Sequence, residues 1–372
     1  MSASLRVRWR WPLLFVILSI ALFFVLRSPP VPPPLTTPAP AVIAPASQPI
    51  AAKPIDAPAP EPPPLATLPP NPQLSAGFCD PPGEAAIART LKANEASDLR
   101  RAFTALHTSA FATAAPLFDG YLAAHGNDAQ IARVRSRLRA QIDVQEGFSQ
   151  STRGTTTLAY PDDALPAPEA WTLAGNIDDA LDEAARLTGT ERRRALYAVA
   201  YRDRSELLAV TCVPSWAVGV YDGTLRLALD TMKSEAERDR ELRHEALHAQ
   251  LGPVLSGAPR WWDEGLAQYF EEHGKLGWNG AFQAMLRNKT YIPFKSLEGS
   301  FFVFEANMDA ALAYEQSHAM VQLLVDRNGE AVIARAIELL RAGTKKEALL
   351  SALDPSLTEA DLLALLERKR PK

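Results

Sequence analysis

The stretch His244-Glu245-Ala246-Leu247-His248, followed by Glu264 in Pro259-Arg260-Trp261-Trp262-Asp263-Glu264-Gly265-Leu266-Ala267, is the most informative part of the chain. Two histidines at positions i and i+4 of a helix lie on the same face, so both imidazoles can bind one metal ion. Two imidazoles and one carboxylate, with a fourth position left for water, are the ligands of a catalytic zinc site. The sequence therefore predicts one zinc ion per chain, bound by His244, His248 and Glu264.

Glu245 stands between the two histidines, where its side chain cannot easily bind the same ion. It is placed instead to take a proton from the zinc-bound water and later to pass that proton to a leaving amine. The metal polarises the carbonyl that the resulting hydroxide attacks. These residues predict hydrolysis of a peptide bond by a zinc-activated water, with Glu245 as the general base.

His-Glu-x-x-His followed by Trp-x-x-Glu-Gly-Leu-Ala resembles the gluzincin branch of the zinc metallopeptidases, within the peptidase MA-like family. The resemblance runs from about residue 150 to residue 372. Ala313-Tyr314-Glu315-Gln316-Ser317 is similar to the Tyr-Glu-Lys-Gly stretch of the aminopeptidase branch, although Gln316 and Ser317 replace its Lys and Gly. That similarity implies that the Tyr314 hydroxyl stabilises the oxyanion formed during hydrolysis.

Two departures limit what the resemblance implies about the substrate. The interval between His248 and Glu264 is shorter than in the large aminopeptidases, and nothing resembles their Gly-x-Met-Glu-Asn motif, which holds the substrate's free amine. Aminopeptidase specificity is therefore not implied. Residues 219–223 resemble the turn before the strand that borders the cleft, so we expect a polypeptide substrate to pair with the exposed edge of a strand at residues 224–229.

The first 27 residues form a segment of their own. Three arginines precede an almost wholly apolar run at residues 11–26, and Arg27 closes it. The run is slightly shorter than a bilayer core, but flanking arginines can extend to the interface. We expect an uncleaved single-pass anchor with its N-terminus in the cytoplasm; a cleaved signal peptide is the alternative. Either interpretation exports the rest of the chain, into the periplasm if the cell is Gram-negative.

Residues 28–75 are rich in proline and alanine and are expected to form an extended, disordered linker. The two cysteines, Cys79 and Cys212, both follow the anchor. An oxidising compartment would allow a disulfide between them, and two buried free thiols are the alternative.

The order of predicted elements is typical of the α+β class. Residues 76–149 have apolar positions at spacings of three and four, which predicts a small helical module with a weak likeness to a tetratricopeptide hairpin. Residues 150–372 are expected to form the metallopeptidase-like domain, with a mixed sheet first and a helical part after it. The net charge of −4 and the lack of a basic block give no support to a nucleic-acid partner.

Within this domain the expected strands are residues 155–160, 196–201, 207–213 and 224–229, and residues 174–187 are expected to be a helix. Ser234-Glu235-Ala236-Glu237 forms a capping box that begins the histidine helix, and Gly252-Pro253 is expected to end it. Arg226 is expected to be a solvated strand residue, and contact with the substrate's backbone or carboxylates is the alternative.

Together these features predict a membrane-anchored, extracytoplasmic zinc peptidase whose catalytic domain is held away from the membrane by the linker. The alternative, from another class, is an envelope scaffold or binding protein with a catalytically idle metallopeptidase-like domain. The sequence does not specify the physiological substrate or the oligomeric state.

Overall fold

The structure is a computed structural model that describes residues 98–369, apart from 108, 127, 194, 212, 256, 275–279, 300 and 302–306. The predicted anchor, the proline-rich linker and the cysteine pair Cys79 and Cys212 lie outside the described residues. In the described part of the chain, no helix combines the length and the apolar character needed to cross a membrane.

Helices form most of the described chain, and a single sheet lies in its first half. The helices are α1 (Asp98–His107), α2 (Phe111–His125), α3 (Ala129–Val144), α4 (Ala167–Thr188), α5 (Arg204–Val210), α6 (Glu235–Leu255), α7 (Arg260–Glu271), α8 (Gly280–Asn288), α9 (Phe294–Leu297), α10 (Asn307–Asn328), α11 (Ala331–Arg341), α12 (Leu349–Leu353) and α13 (Glu359–Lys369). The strands are β1 (Ser149–Arg153), β2 (Thr156–Tyr160), β3 (Leu196–Tyr201), β4 (Gly219–Tyr221) and β5 (Leu225–Ala228).

The five strands form a mixed sheet in the order β1-β2-β3-β5-β4. The three central strands are parallel, and β1 and β4 run antiparallel to their neighbours at the two edges. Helix α4 makes the crossover between β2 and β3, as parallel strands require. The sheet precedes the mainly helical C-terminal part, so the predicted α+β class is confirmed.

Side chains alternate between the two faces of the sheet, as the pleat of a strand dictates. In β3, Ala198 and Ala200 face a core shared with α4 and α6, whereas Val199 and Tyr201 face α5 and the helical module. Helix α6, which carries the two histidines, therefore packs directly on the sheet. Its other neighbours belong to a larger helical core formed by α6 to α13.

The module helices α1 to α3 have an apolar core of their own and pack against the second face of the sheet. Arg137 on α3 donates hydrogen bonds to the carbonyls of Leu208 (3.3 Å) and Ala209 (2.6 Å). Ser109 and Thr224 share a hydrogen bond of 2.8 Å. These contacts connect the module to α5 and to the residue that precedes β5.

The expected strand at residues 207–213 is wrong, because residues 204–210 form helix α5. Asp203 caps this helix by accepting a hydrogen bond from the Glu206 amide at 3.0 Å, and the Glu206 carboxylate accepts one from the Arg202 amide at 2.9 Å. An aspartate side chain that caps the first amides in this way is a helix-start signal. The short apolar run at residues 207–210 has a composition that also suits a strand.

The expected exposed edge at residues 224–229 is also wrong. Strand β5 lies between β3 and β4, and all four of its residues are buried. The edge on this side is β4, which the sequence suggested to be only a turn. Any extended peptide that adds to this side of the sheet must pair with β4.

Arg226 on β5 is buried, not solvated as expected. Its guanidinium donates to the Asp222 carboxylate at 3.0 Å, to the Tyr201 hydroxyl at 2.6 Å and to Gln141 on α3. A buried charge requires such partners, because an unpaired one would cost several kcal/mol. The network joins the module to the sheet on the face opposite α6.

Helix α6 continues through Pro253 to Leu255, two residues beyond the expected end. A proline has no N–H to bond the carbonyl four residues earlier. Here that carbonyl, on Ala249, accepts a hydrogen bond of 2.7 Å from the Arg193 guanidinium. Because the freed acceptor has another donor, the helix need not stop.

Helices α7 and α10 approach each other closely at Gly265. A Cβ on Gly265 would overlap the Ser317 carbonyl oxygen and lie 2.9 Å from Val321 Cγ2. Only glycine fits here, and Gly265 directly follows Glu264. The approach therefore sets the position of α10 relative to the predicted metal ligand.

We expect Gly265→Ala to lower the free energy of unfolding by about 1–3 kcal/mol, because the added methyl meets backbone that cannot move aside alone. Gly120→Ala on α2 is the matched control, since no atom lies within 4 Å of its added Cβ. There the helical alanine should stabilise by about 0.5–1 kcal/mol. Urea unfolding measures both; a neutral or stabilising Gly265→Ala would show that the two helices can separate without cost.

Candidate metal centre

The capping box at the start of α6 orients the helix that carries the predicted site. The Ser234 side chain accepts a hydrogen bond of 3.1 Å from the Glu237 amide, and the Ser234 amide donates one of 2.9 Å to the Glu237 carboxylate. The predicted capping box is confirmed. From this start, the spacing of four residues brings His244 and His248 onto one face.

Three predicted ligands come together between α6 and α7. The Nε2 atoms of His244 and His248 are 3.2 Å apart, and they lie 3.4 and 3.3 Å from the same oxygen, Oε2 of Glu264. That oxygen is buried and has no partner with hydrogen-bond geometry among the described residues. The three atoms thus form a nearly equilateral triangle.

The triangle has the dimensions of a tetrahedral metal site. Zinc binds histidine nitrogen and carboxylate oxygen at about 2.0–2.2 Å, which separates the ligand atoms of a tetrahedron by about 3.3 Å. The observed edges of 3.2 to 3.4 Å match this spacing. His244, His248 and Glu264 form a group that could hold a metal ion, and their chemistry suits zinc.

Each histidine also contacts a second carboxylate through Nδ1, the ring nitrogen that faces away from the triangle. His244 Nδ1 lies 3.0 Å from Oε2 of Glu271, and His248 Nδ1 lies 3.0 Å from Oδ1 of Asp263. With these carboxylates as acceptors, each Nδ1 can keep its proton while Nε2, which faces the centre of the triangle, gives up its own to a metal ion. Carboxylates in this position fix the ring orientation and increase ligand basicity in zinc sites.

The same carboxylates set the charge balance of the site. Burial alone would lower the pKa of both imidazoles; Asp263 and Glu264 outweigh it and raise the pKa of His248 to about 10, and Glu264 and Glu271 do the same for His244. Burial would raise the pKa of Glu264, but the two histidines hold it well below its usual range. The centre therefore favours positive charge, as a cation site must.

The contacts also show that α7 runs antiparallel to α6. Asp263 lies beside His248, whereas Glu271, two turns later, lies beside His244 and accepts a bond of 3.1 Å from Arg240. Trp261 and Trp262 are fully buried under this part of α7. Rigid packing beneath the ligand helix keeps Glu264 in place.

Glu245 lies beside the triangle and is only 5% exposed. Its Oε2 has no hydrogen-bond partner among the described residues, and burial raises its pKa. The edge strand β4 passes directly over it, because a Cβ on Gly219 would lie 3.1 Å from Glu245 Cγ and 3.2 Å from its Oε1. Glu245 is thus a buried carboxylate between the candidate metal centre and the free edge of the sheet.

Tyr314 on α10 also lies near the centre. Its ring centroid is 6.2 Å from that of His244, and the rings of Trp216 (6.0 Å) and Phe301 (5.2 Å) pack against it edge-on. Burial and the nearby Glu264 raise the pKa of its hydroxyl well above the usual value. At neutral pH this hydroxyl is therefore a donor.

Residues 177–355 match the family model of the Peptidase MA superfamily. The matched range extends from within α4 to just beyond α12 and contains the three candidate ligands, Glu245 and Tyr314. It supports a peptidase MA-like fold and a metallopeptidase-like domain. No match to a curated protein was found.

Sequence reasoning missed four polar residues near this centre: Asp263, Glu271, Arg260 and Glu241. Asp263 and Glu271 contact the histidines, and Arg260 pairs with Asp263 and lies 3.5 Å from Oε1 of Glu264. Glu271 follows Glu264 by seven residues, a spacing that returns a helix to the same face. That spacing was a usable signal for Glu271. The position of Gly219, next to Glu241 and Glu245, depends on how the sheet packs on α6, so the sequence contains no signal for it.

Proposed function

We propose that this protein is a zinc-dependent peptidase in which His244, His248 and Glu264 hold one zinc ion. The observation that carries the proposal is the ligand triangle with edges of 3.2 to 3.4 Å, beside the buried carboxylate of Glu245. The Peptidase MA match over the same residues supports it. When bound, zinc would supply Lewis-acid activation of a carbonyl and of a water molecule.

The residues around the centre have separate tasks in this proposal. Glu245 takes the proton of the attacking water and later delivers it to the leaving nitrogen; its burial and raised pKa suit a base that must also act as an acid. Tyr314 donates a hydrogen bond to the oxyanion. Asp263 and Glu271 hold the imidazoles in the tautomer that presents Nε2.

The substrate class follows from the edge strand. Among the described residues, strand β4 pairs only with β5, so its other side can accept an extended polypeptide by main-chain hydrogen bonds. Such a peptide would pass next to Gly219 and therefore next to Glu245. We propose polypeptides bound in extended form as substrates.

The location of the enzyme is proposed from the sequence alone. The apolar run at residues 11–26 and its flanking arginines support a single-pass anchor, with the catalytic domain outside the cytoplasm. Full-length protein should remain in the membrane after carbonate washing and be accessible to protease from the outer side. Release of a shortened chain into the soluble fraction would instead indicate a cleaved signal peptide.

The test of the proposed activity is a profile of cleavage on a mixture of peptides and on casein, with zinc content measured on the same sample. We expect cleavage at about one zinc per chain, loss of cleavage with a chelator, and recovery when zinc is added back. One zinc per chain with no cleavage of any peptide would contradict the proposal. That result would support the alternative of an idle envelope scaffold.

Tyr314→Phe removes only the hydroxyl and keeps the ring packed against Trp216 and Phe301. If this hydroxyl stabilises the oxyanion, kcat should fall about 10²- to 10³-fold with zinc content unchanged. Tyr121→Phe in the helical module is the matched control and should leave kcat unchanged. An unaltered kcat in Tyr314→Phe would remove this tyrosine from the mechanism.

A further inference from the structure

A second glutamate, Glu241, lies on the same face of α6 as the candidate centre. Positions 241, 244, 245 and 248 follow each other at the i, i+3, i+4 and i+7 spacing that defines one helix face. A Cβ on Gly219 would overlap Oε1 of Glu241 and also contact Glu245. Both carboxylates therefore meet the edge strand β4 at the same backbone position.

His244 and Arg240 lie near enough to favour the charged form of Glu241, but hydrogen-bond partners within the described chain are missing at both glutamates. Among the described residues, Glu241 forms no hydrogen bond or ion pair, and Oε2 of the 95% buried Glu245 is unpartnered. Two like charges at i and i+4 destabilise a helix, and partial burial increases this cost. Burial, together with repulsion from Glu245, raises the pKa of Glu241 above its usual range.

The neighbouring cation is already engaged elsewhere. Arg240 directly precedes Glu241 in the chain, but its guanidinium pairs with Glu271 at 3.1 Å and with Glu272 at 3.0 Å. Glu241 is partly exposed, so a ligand can reach it. The fold thus keeps an unpaired carboxylate at the free edge of the sheet, beside the proposed general base.

We propose that the Glu241 carboxylate binds a cationic nitrogen of the substrate and thereby determines which peptide bonds are cleaved. The proposal rests on the proposed function and names a specificity group for the same site. Four residues of helix span about 6 Å, which corresponds to about two residues of extended peptide. The cation should therefore lie within about two residues of the cleaved bond.

The cationic nitrogen has two possible sources, the free α-amine of the peptide and a lysine or arginine side chain. Matched peptides separate them. One pair differs in a free or acetylated N-terminus, and the other carries lysine or norleucine within two residues of the cleaved bond. Whichever charged member is preferred identifies the source.

In the hydrolysis experiment, wild type should cleave the charged member of one pair about 10- to 100-fold more efficiently than its neutral partner, the range expected for a hydrogen bond to a charged group. Glu241→Gln should bring this ratio close to one. Glu235→Gln, which removes the same charge at an exposed position of α6, should keep the wild-type ratio. Equal cleavage of both members by wild type, or a ratio unchanged in Glu241→Gln, would overturn the proposal.

A binding experiment separates failure of this inference from failure of the proposed activity. Zinc-loaded Glu245→Gln and the double variant Glu241→Gln/Glu245→Gln are titrated with the four labelled peptides, and binding is followed by fluorescence anisotropy. The single variant should bind the charged peptide about 10- to 100-fold more tightly than its neutral partner, and the double variant should lose that difference. If wild type cleaves nothing, the proposed function fails and this experiment still decides the role of Glu241. No difference between charged and neutral peptides, including no binding at all, would overturn it.

Discussion

Glu245→Gln is expected to lower kcat about 10²- to 10⁴-fold while the protein keeps one zinc ion per chain. Glutamine has the shape of glutamate but cannot accept the proton of the attacking water. Glu245 is buried beside the ligand triangle without being one of its members, so its replacement should leave the metal in place. Zinc content by plasma emission spectrometry and single-turnover hydrolysis of a cleaved peptide measure the two effects separately.

The control for this variant is Glu235→Gln, at an exposed position of the same helix. It should retain both zinc and activity. Undiminished hydrolysis by Glu245→Gln would show that another group takes the proton. Loss of zinc from Glu245→Gln would instead place Glu245 among the ligands, contrary to the geometry.

His248→Ala is expected to reduce the zinc content from about one per chain to nearly none and to abolish hydrolysis. Removing one of three ligands leaves an imidazole and a carboxylate, too few for a stable zinc site. The effect should exceed that of replacing Asp263 or Glu271, since loss of such an outer carboxylate costs only about 10- to 100-fold in affinity. Equilibrium dialysis against buffered zinc measures the loss.

The same variant leaves Asp263 without its histidine partner and Glu264 with His244 alone, so the fold must be checked by circular dichroism. His248→Gln, which preserves a polar group at this position, is a second variant should His248→Ala unfold. His125→Ala, at an exposed position in the helical module, is the matched control and should bind zinc normally. One zinc per folded chain in either His248 variant would contradict the assignment of this residue as a ligand.

Local signals in the sequence were sufficient to place the two histidines on one helix face. The spacing of His244 and His248 on one helix, and the capping box at Ser234, depend only on residues that are close in the chain. The structure adds that Glu264, on a separate helix, reaches the same point. The α+β class was also predictable, because the periodicity changes from strands to helices along the chain.

The expected strand at residues 207–213 failed on local features, and the other errors arose where long-range packing decides the outcome. Residues 207–210 are apolar in a run too short to distinguish a strand from a helix, and the cap at Asp203 was overlooked. Strand order cannot be seen in local periodicity, so β5 was placed at the edge that β4 occupies. Strand β1 is polar, with two of its five residues exposed and the other three half-buried, so its sequence lacks the apolar alternation that indicates a strand.

Arg226 illustrates the same limit for a single residue. A lone arginine in a short strand usually faces solvent, and its partners Asp222, Tyr201 and Gln141 come from three different parts of the chain. Glu241 is similar, since the approach of Gly219 to its carboxylate follows from how the sheet packs on α6. The contacts of both residues are therefore visible only in the folded structure.

The central claim, that the His244, His248 and Glu264 centre hydrolyses peptides with one zinc ion, is tested most directly by titrating metal-free protein with zinc while following hydrolysis of a cleaved peptide. In wild type, activity should rise in proportion to bound zinc and reach a plateau at one ion per chain. In Glu245→Gln, activity should stay near zero although the variant binds the same amount of zinc. Uptake of one zinc per chain by the wild type without hydrolysis, or hydrolysis that is independent of zinc, would contradict the account.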